Sequence, residues 1–121
     1  MTSKLALVVA TWYAGIYVGG PLYCGGHYAE STAPWVAVDV DDYISGRVTC
    51  GDWLRITDGD TVLLAQAMDA GYLSRYFVED YGPSIRIGVD VPWHLWPWGE
   101  DRSRVVTVEN VTRELEGRVE R

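Results

Sequence analysis

Two aspartates stand where apolar runs come to an end. Asp69 lies in Val62-Leu-Leu-Ala-Gln-Ala-Met-Asp-Ala-Gly71, and Asp90 in Ile85-Arg-Ile-Gly-Val-Asp-Val91. A carboxylate in such a run loses hydration unless it is paired, hydrogen-bonded or needed for chemistry. Asp also caps turns and loop backbone, which is the architectural alternative at both positions. The segment joining the two carries Tyr72, Tyr76 and Tyr81. Two acids joined by a tyrosine-rich loop point to a carbohydrate site with one or two catalytic carboxyls. One protonated acid suffices to protonate a glycosidic oxygen, whereas hydrolysis needs two carboxyls at a separation set by inversion or retention. Asp69 ends the more apolar strand, so partial burial is expected to raise its pKa and make it the acid. Asp90, nearer a turn, is expected to stay ionised.

The aromatic residues extend this reading. The chain has six Trp and eight Tyr against one Phe. Trp and Tyr carry a polar edge beside an apolar face, which suits surfaces and grooves, and sugars stack on such rings through their C–H faces. Small barrels also use Trp and Tyr on half-buried strands. Trp12, Tyr13 and Tyr72 are the rings expected near the acids. In Pro92-Trp-His-Leu-Trp-Pro-Trp98, Trp93 and Trp96 are candidates for a sugar-stacking platform; the same cluster can instead form an apolar patch against a protein partner.

Composition excludes other classes. The chain has 121 residues, 48% of them hydrophobic, enough for one domain over 1–121 with a real core. A net charge of -7 argues against a nucleic-acid partner, which needs clustered Lys and Arg. No stretch approaches a membrane span. His27 and His94 read as loop or surface histidines, no metal-ligand spacing is found, and no cofactor is expected. The N-terminal run from Lys4 to Tyr13 reads as a strand rather than a signal peptide. Cys24 and Cys50, each followed by Gly, are either one disulfide or two buried thiols.

The elements that must position these residues are strands almost throughout. Runs rich in Val, Ile, Leu, Trp and Thr are predicted at 4–13, 35–40, 52–57, 61–68, 84–91 and 104–111. Asp58-Gly59-Asp60 is a hairpin signal. One helical turn is expected from Asp39 to Ser45. Val111, Leu115 and Val119 recur at helical spacing in a charged tail, 112–121, with Thr112 as N-cap. Six short strands with little helix imply a small closed barrel over about 4–111, because closure removes exposed edges.

The order of motifs resembles RlpA-like and expansin-like domains. Ala10-Thr-Trp-Tyr-Ala-Gly15, Tyr23-Cys-Gly-Gly26 and Trp35-Val-Ala-Val38 are similar to the opening of those domains. Thr49-Cys-Gly-Asp-Trp-Leu-Arg-Ile56, Met68-Asp-Ala-Gly71, Gly88-Val-Asp-Val-Pro92 and Val105-Val-Thr-Val108 follow in the expected order. The resemblance spans roughly residues 5–111 and implies an all-β, six-stranded double-psi β-barrel with short helical segments. It implies that Asp69 and Asp90 are the groove acids and Thr11 a groove threonine, and that Cys24 and Cys50 form a disulfide. The chain departs from the pattern in two places. Tyr72 lies one position beyond the aromatic that expansins often place after the first acid. Where RlpA-like enzymes carry a His, between Val36 and Val40, this chain offers Asp39.

The resemblance implies a cell-wall glycan-binding domain, extracellular or wall-associated. Its polysaccharide or peptidoglycan would be bound and, with Asp69 or Asp90 as acid, cleaved by a lytic transglycosylase or hydrolase route. The alternative is a non-catalytic subunit of a larger assembly such as a phage tail or virion. Its protein partners would be met by the Trp-rich 92–98 segment and the C-terminal tail.

Overall fold

In the computed structural model, residues 3–13, 21–26 and 34–119 are described. The strands are β1 (Ser3–Tyr13), β2 (Trp35–Asp39), β3 (Trp53–Asp58), β4 (Thr61–Gly71), β5 (Ile87–Pro92) and β6 (Ser103–Asn110). Helix α1 (Val40–Ile44) follows β2, and α2 (Thr112–Val119) follows β6. Period-2 alternation explains the strands, since alternate residues of one strand face one side. Val36 and Val38, Val89 and Val91, Leu54 and Ile56, and Val106 and Val108 all enter one buried cluster.

The sheet closes in the order β1-β5-β2-β4-β3-β6. β1 runs parallel to β5 and β2 parallel to β4, while the remaining neighbours are antiparallel. This is the expected six-stranded double-psi β-barrel, with short helical segments between strands. β3 and β4 meet through Gly59 and Asp60, with Asp58 opposite Thr61. The φ of Gly59 is 57°, the left-handed value that a two-residue hairpin needs at its first central position.

Three boundaries differ from the expectation for identifiable reasons. β4 runs through Asp69 to Gly71, because β2 pairs with it over that whole length. β5 begins at Ile87, since the backbone turns at Pro83 and Ser84 before the ladder starts. Thr112 does not serve as the N-cap of α2. Its amide is bonded by Asn110 Oδ1 at 3.2 Å, and its hydroxyl accepts the Trp53 amide at 2.8 Å, tying the helix start to β3.

Two irregularities position the site. Val36 lies opposite Ala67 but Ala37 lies opposite Asp69, so Met68 is an extra residue in β4, a β-bulge. Likewise Val9 lies opposite Ile87 and Ala10 opposite Val89, leaving Gly88 as the extra residue in β5. A Cβ on Gly88 would sit 2.6 Å from the Val8 side chain, so only glycine admits this approach of β5 to β1.

Candidate functional site

Strict alternation would send Asp69 inward, because Ala65 and Ala67 of the same strand are core residues. The bulge at Met68 reverses the phase, and Asp69 emerges on the outer face opposite Ala37. Asp90 stands between the core residues Val89 and Val91 and therefore also faces outward. Ala37 is paired with Asp90 on its other side, Asp90 with Thr11, and Thr11 with Ser103. The register thus aligns Ser103, Thr11, Asp90, Ala37 and Asp69 in one row across β6, β1, β5, β2 and β4.

Thr11 Oγ1 donates to Asp90 Oδ1 at 3.0 Å. Burial pushes the Asp90 carboxyl up to about 6; the Thr11 hydrogen bond opposes the rise, and the nearby Asp69 charge adds to it. Asp90, expected to sit solvated near its turn, is instead partly buried and raised towards neutrality, although a carboxyl with a pKa of about 6 still stays mostly ionised at pH 7. Its run continues into the buried Val91 and Pro92, so the carboxyl is partly shielded rather than solvated at a turn. The raised acid of the row is Asp90.

Asp69 is held differently. Its Oδ1 accepts the Tyr23 amide at 3.0 Å, and its backbone carbonyl accepts the Tyr43 hydroxyl at 3.0 Å. The Tyr23 ring stacks on Tyr43 with centroids 4.8 Å apart. Burial raises the Tyr43 hydroxyl above its ordinary pKa, and the Asp69 charge adds to this, so it stays a donor. Tyr23 and Tyr43 were not singled out from sequence. Each contacts Asp69 from a separate segment, and no local spacing announces that. A disulfide joins Cys24 to Cys50, with S–S 2.08 Å and Cα atoms 5.5 Å apart, as the resemblance implied.

Just past the end of β5, Trp93 leans on Trp12 with ring centroids 4.6 Å apart and an interplanar angle of 51°. Trp93 is 49% exposed, while Trp12 packs against the core. Trp96 is a correction. It is 8% exposed and meets Trp98 edge-on at 4.8 Å, so the ring belongs to the core and offers no stacking face. Within this segment Trp93 turns outward while Pro92, Trp96 and Trp98 are buried. Tyr72 is exposed, with the Arg75 guanidinium 4.3 Å above its ring, beyond the end of β4 rather than within the row. The backbone of Tyr13 pairs with Pro92, but its side chain lies outside the described residues, as does His27. His94 is exposed. Asp39, in the place of the RlpA-like histidine, is buried and caps α1 through Asp41 N at 3.0 Å, while accepting Ser74 N at 2.8 Å.

Two interstrand spacings of about 4.8 Å put the Asp69 and Asp90 backbones roughly 9–10 Å apart. That spacing is wider than the close pair of about 5 Å that a retaining nucleophile and its acid require, and is near the separation of about 6.5–9.5 Å of an inverting pair. The row crosses five strands, and one of its carboxyls, Asp90, is partly buried with its pKa raised to about 6. Among the described residues, no three His, Cys, Asp or Glu side chains are gathered to hold a metal. A cavity of about 230 Å³ lined by Asp39, Asp42, Arg47, Ser74 and Arg86 lies elsewhere and includes no residue of the row.

No protein-family model matches the chain, and no curated protein sequence does. A solved structure is similar: a point mutant of the Clavibacter michiganensis expansin in complex with cellohexaose. It superposes with a TM-score of 0.54 at 19% identity, over 93% of this chain. This chain spans 50% of that one's length. The chain therefore has the expansin fold, a six-stranded double-psi β-barrel carrying two acids on its outer wall.

Proposed function

We propose that the protein binds a β-linked polysaccharide across the outer wall of the barrel, along the row from Ser103 to Asp69. The observation that carries this is the row itself: two carboxyls and two hydroxyls in register, with the exposed Tyr23 ring beside Asp69 and the exposed Trp93 ring just past the end of β5, the strand of Asp90. Sugar rings stack on such faces while their hydroxyls take hydrogen bonds from the polar groups between. The bound cellohexaose of the expansin with the same fold supports a β-1,4-glucan as first ligand, with peptidoglycan glycan strands as the second. The disulfide fits an oxidising, extracytoplasmic compartment and a wall-associated location.

Binding is the activity on which this reading rests, and cleavage is the alternative that the test below decides. The separation of the two acids does not suit a retaining nucleophile and acid pair at about 5 Å. An inverting route, with a water between carboxyls about 6.5–9.5 Å apart, is the hydrolytic alternative that uses both. A single acid is compatible with transglycosylation, in which the protonated carboxyl first protonates the glycosidic oxygen and then takes the proton of the sugar's own 6-hydroxyl.

The test combines pull-down on insoluble cellulose and on purified peptidoglycan, titration with cellohexaose, and mass spectrometry of the soluble products. Retention on glycan with no new reducing ends supports the proposal. Soluble 1,6-anhydro products that vanish in Asp90→Asn would convert it to an enzyme reading. Absence of binding to every glycan would overturn it in favour of a protein-interaction subunit, as in a phage tail or virion.

A further inference from the structure

We propose that the Cys24–Cys50 disulfide is a component of the glycan groove rather than of the barrel, so that its reduction opens the groove while the barrel stays folded. The inference rests on the glycan-binding reading above for its ligand. The six strands close by their own ladders, and neither cysteine belongs to the buried core.

The two ends of the disulfide are anchored unequally. Cys50 sits in a turn fixed to the barrel. Thr49 N bonds Asp52 Oδ2 at 2.8 Å, Gly51 N bonds Ala67 O at 2.9 Å, and Gln66 Nε2 bonds Gly51 O at 3.1 Å. Beside it, Val48 is buried in the core. Cys24 belongs to segment 21–26, which among the described residues touches the barrel at the acid site. The bulge takes Met68 out of the β2 ladder, and Cys24 N bonds its carbonyl at 2.8 Å. One residue earlier, Tyr23 N bonds the Asp69 carboxylate, and the Tyr23 ring lies on Tyr43. Leu22 adds one buried side chain. The disulfide therefore holds in place the segment that orients Asp69 and presents the Tyr23 ring to a ligand.

A dithiol reductant is the co-reactant. Its thiolate attacks Cys50, the exposed half of the bond, and the S–S bond breaks to give a mixed disulfide and the Cys24 thiolate. The reductant's second thiolate then displaces Cys50. Two electrons and two protons pass to the protein, which ends with two thiols, and the dithiol ends as its disulfide. Among the described residues, segment 21–26 then keeps the Tyr23 and Cys24 amide bonds to Asp69 and Met68, the Pro21 bridge, one stacked ring and one buried leucine. Its local opening becomes more frequent by the loop-closure factor that the tether had removed, on the order of 100-fold.

The experiment compares the oxidised full chain, the chain treated with dithiothreitol and alkylated, and the Cys24→Ser, Cys50→Ser double variant. Amide hydrogen exchange is read at Tyr23 and Cys24 and across β5 and β6, together with cellohexaose affinity. The expected result is exchange on the order of 100-fold faster at Tyr23 and Cys24, with β5 and β6 still protected. Affinity should fall at least about tenfold in the reduced chain and the double variant, and the variant should ignore reductant. Unchanged exchange at Tyr23 and Cys24, loss of protection throughout the barrel, or undiminished affinity of the opened chain would each overturn the inference. If the oxidised chain binds no glycan at all, the carbohydrate reading fails, and the exchange data still decide whether the disulfide tethers the Asp69 wall.

Discussion

Replacing Asp90 by Asn should make the protein more stable at neutral pH. The carboxyl has an ordinary pKa of 3.8 and is raised to about 6 in the fold, chiefly by burial. The folded chain therefore binds a proton more tightly at this site than the unfolded chain does. Below about pH 4 the group is protonated in both states and contributes nothing to the pH dependence. Between about pH 4 and 6 the unfolded state releases its proton first, so stability falls as pH rises, by about 1.4 kcal/mol per pH unit. Above about pH 6 the cost levels off at about 2–3 kcal/mol, reduced somewhat by the partial exposure of the carboxyl. Asn is neutral at every pH, has nearly the same volume, and keeps an oxygen to accept the Thr11 hydroxyl. Thermal melts of the two proteins from pH 3.5 to 8 should coincide at the acid end. They should then separate through pH 4–6, and Asn should melt roughly 5–10 °C higher at pH 7.5. A difference curve that is flat across this range, or an Asn variant less stable at pH 7.5, would refute the argument that burial of a charge dominates at Asp90. A gain in stability coupled to loss of glycan binding is the trade expected where a site holds a group at its own expense.

Other changes separate site from scaffold. Thr11→Val removes the donor to Asp90, so the Asp90 pKa should move higher still, read by carbon-detected titration of its carboxyl, with about 1–2 kcal/mol lost at pH 7.5. Trp93→Ala, at a half-exposed ring, should weaken cellohexaose binding about 5- to 30-fold in calorimetry and leave the melting temperature within about 2 °C. Trp98→Ala should instead cost about 3–5 kcal/mol in denaturant unfolding, because that ring fills the core. Gly88→Ala should destabilise by about 1–3 kcal/mol in the same assay, since its methyl meets Val8 at a distance no Cβ tolerates.

Much of the scaffold was legible in the residues. Valines alternating in Trp35–Val38 and Gly88–Val91 mark strands with one buried face, and Gly59 between two aspartates marks a hairpin, because period and turn chemistry are local properties. The approximate place of both acids, at the ends of apolar runs, was legible for the same reason. The pairing of Cys24 with Cys50 came from resemblance to other chains, since two cysteines alone leave the choice open. The tertiary structure decided the rest. Which face Asp69 occupies depends on the extra residue at Met68, and a bulge exists only relative to the partner strand, so alternation along β4 alone points the carboxylate the wrong way. How far an acid is shielded depends on what covers it, and coverage is a sum over distant segments; the burial that raises Asp90 could not be read from its run. The same applies to Trp93 and Trp96. Three residues apart in one tryptophan-rich stretch, one is half exposed and the other buried, because burial is settled by the surface against which a segment packs. Tyr23 reaches Asp69 from a loop and Tyr43 from helix α1, and that meeting is created only when the barrel closes.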